Sequence, residues 1–171
     1  MYYTKNISGY ICPLLKFFLI FVEKRDKMFS KACEYGIRAA IFIAEQSLLG
    51  NKVSLKEVSK ATDSPEAYTS KILQKLAGHH IINSDKGPSG GYSIESAKIE
   101  NLKLSSIVYA IDGDKVYVGC GLGLPTCDEN KPCPVHFQFK AIREELKNML
   151  ESTSIKSLTF GLSKELTFLK R

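Results

Sequence analysis

Residues 64–94 read SPEAYTSKILQKLAGHHIINSDKGPSGGYSI, and this stretch decides the fold. Ser64-Pro65 signals a helix start: a hydroxyl cap followed by proline at the first helical position, where its missing N–H costs nothing. Ile72, Leu73 and Leu76 then fall on one face, and Gly78 is a suitable stop. Beyond it, Ile81–Ser84 and Gly91–Ile94 are spaced to pair as strands around Asp85–Gly90, a loop whose glycines permit the backbone angles of a tight exposed turn.

Upstream, Ile37, Ala40, Ile41, Ala44 and Leu48 recur at helical spacing over Ser30–Leu49, and Gly50-Asn51 ends that helix. Ser54 is placed to cap a short helix over Leu55–Ala61 with Leu55 and Val58 inward, and Thr62-Asp63 forms the turn. Two short helices joined by a tight turn on a longer first helix describe a helix-turn-helix, although the helices alone fit any small bundle equally well. A hairpin placed directly after the second helix is a wing, with Lys86 at its base.

Downstream, Leu102–Ile111 forms a further short helix, and Lys115–Pro134 a long connection. Val135 to about Ser152 is a strong amphipathic helix with Phe139, Ile142, Leu146, Met149 and Leu150 on one stripe. That is more apolar surface than a small domain covers, so the helix is a candidate dimerisation element; the plainer alternative is that it packs back on the first helix. A short helical segment follows at Ile155–Leu162.

The chain has 171 residues, 44% hydrophobic and 25% charged, as in ordinary globular proteins. Its net charge is +6, yet residues 1–27 hold five basic and two acidic groups, so the remainder carries only +3. Bulk charge is therefore weak support for nucleic-acid binding, and placement must carry the case. Residues 11–22, ICPLLKFFLIFV, fall short of the roughly 20 needed to span a bilayer and lack a small-x-small cleavage site. We expect no membrane association and a natural start at Met28, since the residues before it can be encoded by a purine-rich tract. No acid–base constellation, Walker pattern or dinucleotide glycine pattern is present, which argues against an enzyme. His79 and His80 read as surface or phosphate-facing residues.

Cys120, Cys127 and Cys133 crowd into a Gly- and Pro-containing stretch, which suits metal ligation or redox chemistry in a reducing, cytoplasmic setting. Three thiolates on one loop can converge on a soft metal centre. Their wide spacing suits an iron–sulfur cluster better than zinc, whose structural sites place cysteines closer together. Zinc, a redox-active thiol pair and an inert loop are the alternatives. Cys33 reads as a small buried apolar group.

The opening Met28–Ala40, the wing Lys86–Tyr92 and the triple-cysteine loop together resemble the Rrf-two family, over residues 28 to about 162. The resemblance implies a homodimeric transcriptional regulator, mainly α with a small β-hairpin wing: a winged helix-turn-helix over 28–97, a short helix and sensor loop over 98–134, and a dimerisation helix and tail over 135–171. It implies that the helix from Ser64 enters the major groove of a double-stranded DNA operator, and that the wing, Lys86, Gly87, Pro88, Ser89 and Gly90, reaches the adjacent minor groove. Ala67 and Ser70 then meet base edges, while Lys71 and Lys75 suit phosphates; Tyr68 suits a phosphate or, equally, a place on the edge of the core. Members that read sequence through an acidic side chain carry it where this chain has Ser70. The three cysteines match the ligands of cluster-binding members, implying a [2Fe–2S] group, with His136 or Glu34 of a partner copy as fourth ligand. The first two cysteines stand one residue further apart than is usual there.

Overall fold

Residues 28–87 and 89–163 are described by the computed structural model. The expectations placed on residues 1–27, on Pro88 and on the tail beyond Ser163 lie outside the described residues. The architecture is mainly α with one two-stranded antiparallel hairpin, as the sequence leads one to expect.

Helix α1, Lys31–Leu48, starts where Ser30 Oγ accepts from the Cys33 N–H at 3.1 Å. The same residue donates its N–H and hydroxyl to the Asp112 carboxylate at 2.9 and 2.5 Å, fastening the start of α1 to a distant turn. The buried face of α1 is small or β-branched: Cys33, Gly36, Ala39, Ala40, Ile41, Ile43 and Ala44. Such a face lets other helices approach closely.

Helix α2, Leu55–Thr62, carries a complete capping box. Ser54 Oγ accepts from the Glu57 N–H at 3.3 Å, while Glu57 Oε2 accepts from the Ser54 N–H at 2.7 Å. Asp63 then turns the chain in the left-handed region, φ 52°. Helix α3, Glu66–Gly78, buries Thr69, Ile72, Leu73 and Leu76. One expectation is corrected at its start. Ser64 supplies no cap; Pro65 occupies that position, with its carbonyl accepting from Tyr68 and Thr69 N–H at 3.0 and 2.9 Å. The first turn therefore closes one residue later than expected. The Ser64 hydroxyl joins an internal chain instead, 2.7 Å from Thr62 Oγ1 and 2.6 Å from Thr69 Oγ1.

Strands β1, Asn83–Asp85, and β2, Gly91–Ser93, form the wing with Ser84 opposite Tyr92. Pairing begins two residues later than expected, because Ile81 and Ile82 drop into the core at 4% and 2% exposure. Val53 adds a single further rung to β2, exchanging both backbone hydrogen bonds with Tyr92 at 3.0 and 2.8 Å. That approach requires glycine at 91: its φ is +152°, and a Cβ would lie 2.9 Å from the Val53 carbonyl. Lys52 pairs with Asp85 at 2.8 Å, and Ser47 Oγ accepts the Ile94 N–H at 3.0 Å, so both ends of the wing are anchored.

Helices α4 (Ser96–Asn101), α5 (Leu104–Asp112), α6 (Lys115–Val118), α7 (His136–Ser152) and α8 (Ile155–Ser163) complete the chain. Neither α4 nor α6 was expected; both are too short to show periodicity. The α4–α5 and α7–α8 junctions are laced together by Leu104 N–H to Thr153 O at 3.0 Å and Ile155 N–H to Leu102 O at 2.8 Å. Leu150 and Ile155 are fully buried there, so the end of α7 does pack into the core. Of the expected stripe, Phe139 and Leu146 are half-buried, Leu146 against the core, while Ile142 and Met149 stay outside at 56% and 44% exposure. Among the described residues no helix is long and apolar enough to cross a membrane.

Candidate DNA-reading face and cysteine loop

The buried stripe of α3 determines what its other side offers. With Thr69, Ile72, Leu73 and Leu76 inward, Glu66, Ala67, Tyr68, Lys71 and Gln74 are exposed and Ser70 is half-buried. Tyr68 meets Tyr35 of α1 edge to face, with ring centres 5.8 Å apart, and Arg38 lies over the Tyr35 ring at 4.6 Å. This aromatic pair braces the N-terminal half of α3 against α1. Lys75 is differently placed: its Nζ donates to the Ile111 carbonyl at 3.4 Å, linking α3 to the end of α5. Lys86, Gly87 and Ser89 of the wing are exposed, and Gly90 closes the turn by donating to the Gly87 carbonyl at 2.9 Å.

The cysteine loop runs between α6 and α7. Its three cysteines are free and partly buried. Cys127 Sγ lies 3.4 Å from His136 Nδ1. Cys120 lies beside Cys133, and its thiol is held below the ordinary range by backbone N–H groups of Leu122 and Leu124 first, then by Arg143 and the Cys133 side chain. The donors therefore stand two by two. Among the described residues no three His, Cys, Asp or Glu side chains gather around one point where a metal ion could sit. His136 is 3% exposed, and its Nε2 is buried without a hydrogen-bond partner. The nitrogen that faces Cys127 is Nδ1, and a thiol and an imidazole this close form a donor pair that suits a thiophilic metal group. Glu34 sits in the first turn of α1, in an ion pair with Lys31 at 2.8 Å.

Sequence reasoning missed what fixes this loop to α7. Arg143 donates to the Gly119 carbonyl at 3.1 Å and to Cys127 Sγ at 3.6 Å. Gly121 lies flat against Phe139, where a Cβ would come within 2.4 Å of the ring. Lys140 pairs with Glu129 at 2.5 Å. Phe139 and Arg143 are four apart on one helix face, a spacing that could have marked Arg143 as a neighbour of whatever Phe139 touches. Cys33, by contrast, is fully buried as expected, its thiol pushed up to about 12 by burial first and the Asp112 carboxylate second.

Comparison with known proteins gives a consistent picture. Residues 29–160 match the family described as Rrf2, iron-dependent transcriptional regulator. The transcriptional regulator IscR of Photorhabdus laumondii is 23% identical over 124 residues, 72% of this chain and 74% of that protein. Among solved structures, CymR, the global cysteine regulator of B. subtilis, superposes with a TM-score of 0.63 at 20% identity, over 77% of this chain and 95% of that one. IscR of T. potens gives 0.61 at 16% identity, over 83% and 92%.

Proposed function

Because the chain belongs to the Rrf2 family of transcriptional regulators, which are not enzymes, we propose that it acts in the cytoplasm as a homodimer reading a pseudo-palindromic operator, under control of an iron–sulfur group on the cysteine loop. The observation that carries the DNA-reading part is the pinned wing following α2 and α3, with the Ala67–Gln74 face of α3 open. Ala67 and Ser70 stand where the first turns of a recognition helix meet base edges, Ala67 through a thymine methyl. Ser64 is half-buried at the entry to that helix, its hydroxyl held internally, so it contributes position more than contact. Lys71, Tyr68 and the wing residues Lys86–Gly90 suit the phosphate backbone and minor groove.

Cys120, Cys127, Cys133 and His136 would hold the group, most simply as [2Fe–2S], since two donor pairs match two metal centres better than one. When bound, such a group would take the cysteine thiolates and the imidazole as ligands and so cross-link the loop, a tie that oxidative loss of the group would release. The remaining steps belong to the chain's own residues. Arg143, Gly121 and Lys140 tie the loop to α7, so ordering the loop orients the exposed Ile142 and Met149 on which a second copy would seat. Upstream, α5 ends at Ile111 and Asp112, which hold Lys75 of α3 and Ser30 of α1. Loop order thus has a packed route to the DNA-reading helix through α7 and α5.

The test is anisotropy binding to duplexes selected from a random pool, with a visible absorption spectrum of anaerobically purified protein. We expect a pseudo-palindromic consensus with half-sites about one helical turn apart, and a brown chromophore that is lost in Cys127→Ser. Lys86→Ala should weaken binding to all sequences alike and lower the salt slope by about one. No selected consensus overturns the DNA-reading part. A colourless protein with stoichiometric zinc overturns the cluster and leaves the zinc alternative.

A further inference from the structure

Behind the exit of α3 lies a pocket of about 370 Å³ that involves neither the open face of α3 nor the cysteines. That volume is in the range small-molecule sites occupy. Its walls are His79 and Ile81 just past α3, Ser105, Ser106 and Tyr109 on α5, Tyr117 on α6 and Glu151 on α7.

Three features of these walls point the same way. The Tyr117 hydroxyl is buried and has no hydrogen-bond partner, an arrangement proteins seldom leave unanswered. The walls contain one carboxylate and no Lys or Arg. That carboxylate, Glu151, belongs to the last turn of α7, where the helix dipole disfavours negative charge and no basic side chain compensates. Among the described residues Glu151 forms no ion pair. The nearby Lys103 amine is held at the Ser152 carbonyl at 3.3 Å, and Lys147, one turn before Glu151, forms no ion pair with it. Finally, the Tyr109 ring, in a T-shaped contact with His79 at 6.5 Å, is 59% exposed and lines the same pocket as the carboxylate. Burial first, then the Glu151 charge and Cys33, hold the Tyr117 phenol above its ordinary value, so it remains a neutral hydroxyl.

We propose that this pocket binds a small organic cation, an ammonium or guanidinium compound with a short alkyl body. Glu151 pairs with its charge, the Tyr117 and serine oxygens accept its N–H groups, and the Tyr109 ring supplies a cation–π face. Small anions meet the Glu151 carboxylate and no Lys or Arg here, and a single carboxylate is too few for a hard metal ion. Because the walls come from the exit of α3 and from α5, α6 and α7, an occupant would tie the end of the DNA-reading helix to the loop-bearing helices. Binding itself is independent of both the cluster and DNA.

The experiment is titration calorimetry of the full chain, free of DNA, with putrescine and with agmatine, and with succinate as the anionic control. We expect saturable binding of at least one cation and none of succinate. Glu151→Gln should weaken it about tenfold or more, as loss of a charge partner does. Tyr117→Phe should weaken it several-fold while leaving Tm unchanged or raised, because the hydroxyl it removes is unpartnered in the free protein; a purely structural role would lower Tm instead. Should Glu151→Gln fail to fold, Tyr117→Phe alone decides. No heat from either cation at millimolar concentration, equal binding of succinate, or an affinity indifferent to both substitutions would overturn the assignment.

Discussion

The helix-turn-helix with its wing and the cysteine loop are held by different physics. Residues 54–94 are fixed by burial: Val58, Leu73 and Leu76 are fully enclosed, Ile81, Ile82 and Ile94 nearly so, and caps and strand rungs satisfy the backbone. The loop between α6 and α7 has almost nothing inside. Leu122 and Leu124 are 55% and 49% exposed, and the loop is held by a few polar ties and one glycine–ring contact. The first region is shaped before anything binds it. The second is positioned by its neighbours and left open to chemistry, as regions of low local stability often are.

The sharpest way to break this contrast is to remove one side chain from each region. Leu73→Ala empties a fully buried site on α3 and should lower unfolding free energy by about 2–5 kcal/mol. Cys127→Ser, measured without any bound cofactor, should change it by less than about 0.5 kcal/mol, because its sulfur receives only weak contacts from His136 and Arg143. Urea denaturation of the two variants gives the comparison directly. Equal losses would mean that the loop is part of the cooperative core.

A second substitution asks whether the loop has any fixed position. Gly121→Ala places a methyl group in the Phe139 ring and should cost about 1–3 kcal/mol, as overpacking does. Phe139→Ala in the same chain should remove most of the penalty, a coupling that a double-mutant cycle in thermal denaturation measures. An additive pair would show that the loop does not rest on α7.

The contrast also explains what could be seen in the sequence. Burial leaves a periodic trace, so Ile72, Leu73 and Leu76 on one face, and Ser54 before an apolar turn, announced α2 and α3 with nearly correct bounds. The Gly-rich run announced the wing, though strand pairing slid toward the turn because Ile81 and Ile82 fill the core. Ser64 misled because a hydroxyl before proline looks like a cap, while its real partners, Thr62 and Thr69, lie on two different helices. The cysteines could be named from chemistry alone. What holds them could not: Arg143 reaches back 24 residues to Gly119, and no local pattern encodes a contact across that span. The same holds for Lys75, whose amine is engaged by a carbonyl 36 residues away.

The smallest effects test the well-ordered side of the contrast at its edge. Ser54→Ala should lower stability by about 1 kcal/mol, since it removes the hydroxyl that caps α2. Glu57, the other half of that box, makes the effect pH-dependent. Its carboxylate is held below the ordinary value by the Ser54 backbone N–H first and the Ser54 hydroxyl second. A depressed folded-state value means that Glu57 contributes stability above its unfolded value, and that this contribution fades as pH falls through the folded one. Urea midpoints of wild type and Glu57→Gln should therefore differ by a constant amount from neutral pH down to the ordinary Glu range near ~4.3, and converge below it. In the Ser54→Ala background the Glu57→Gln difference should shrink but persist, because the backbone N–H remains as the larger of the two causes. A difference that vanished entirely would assign the box to the hydroxyl instead.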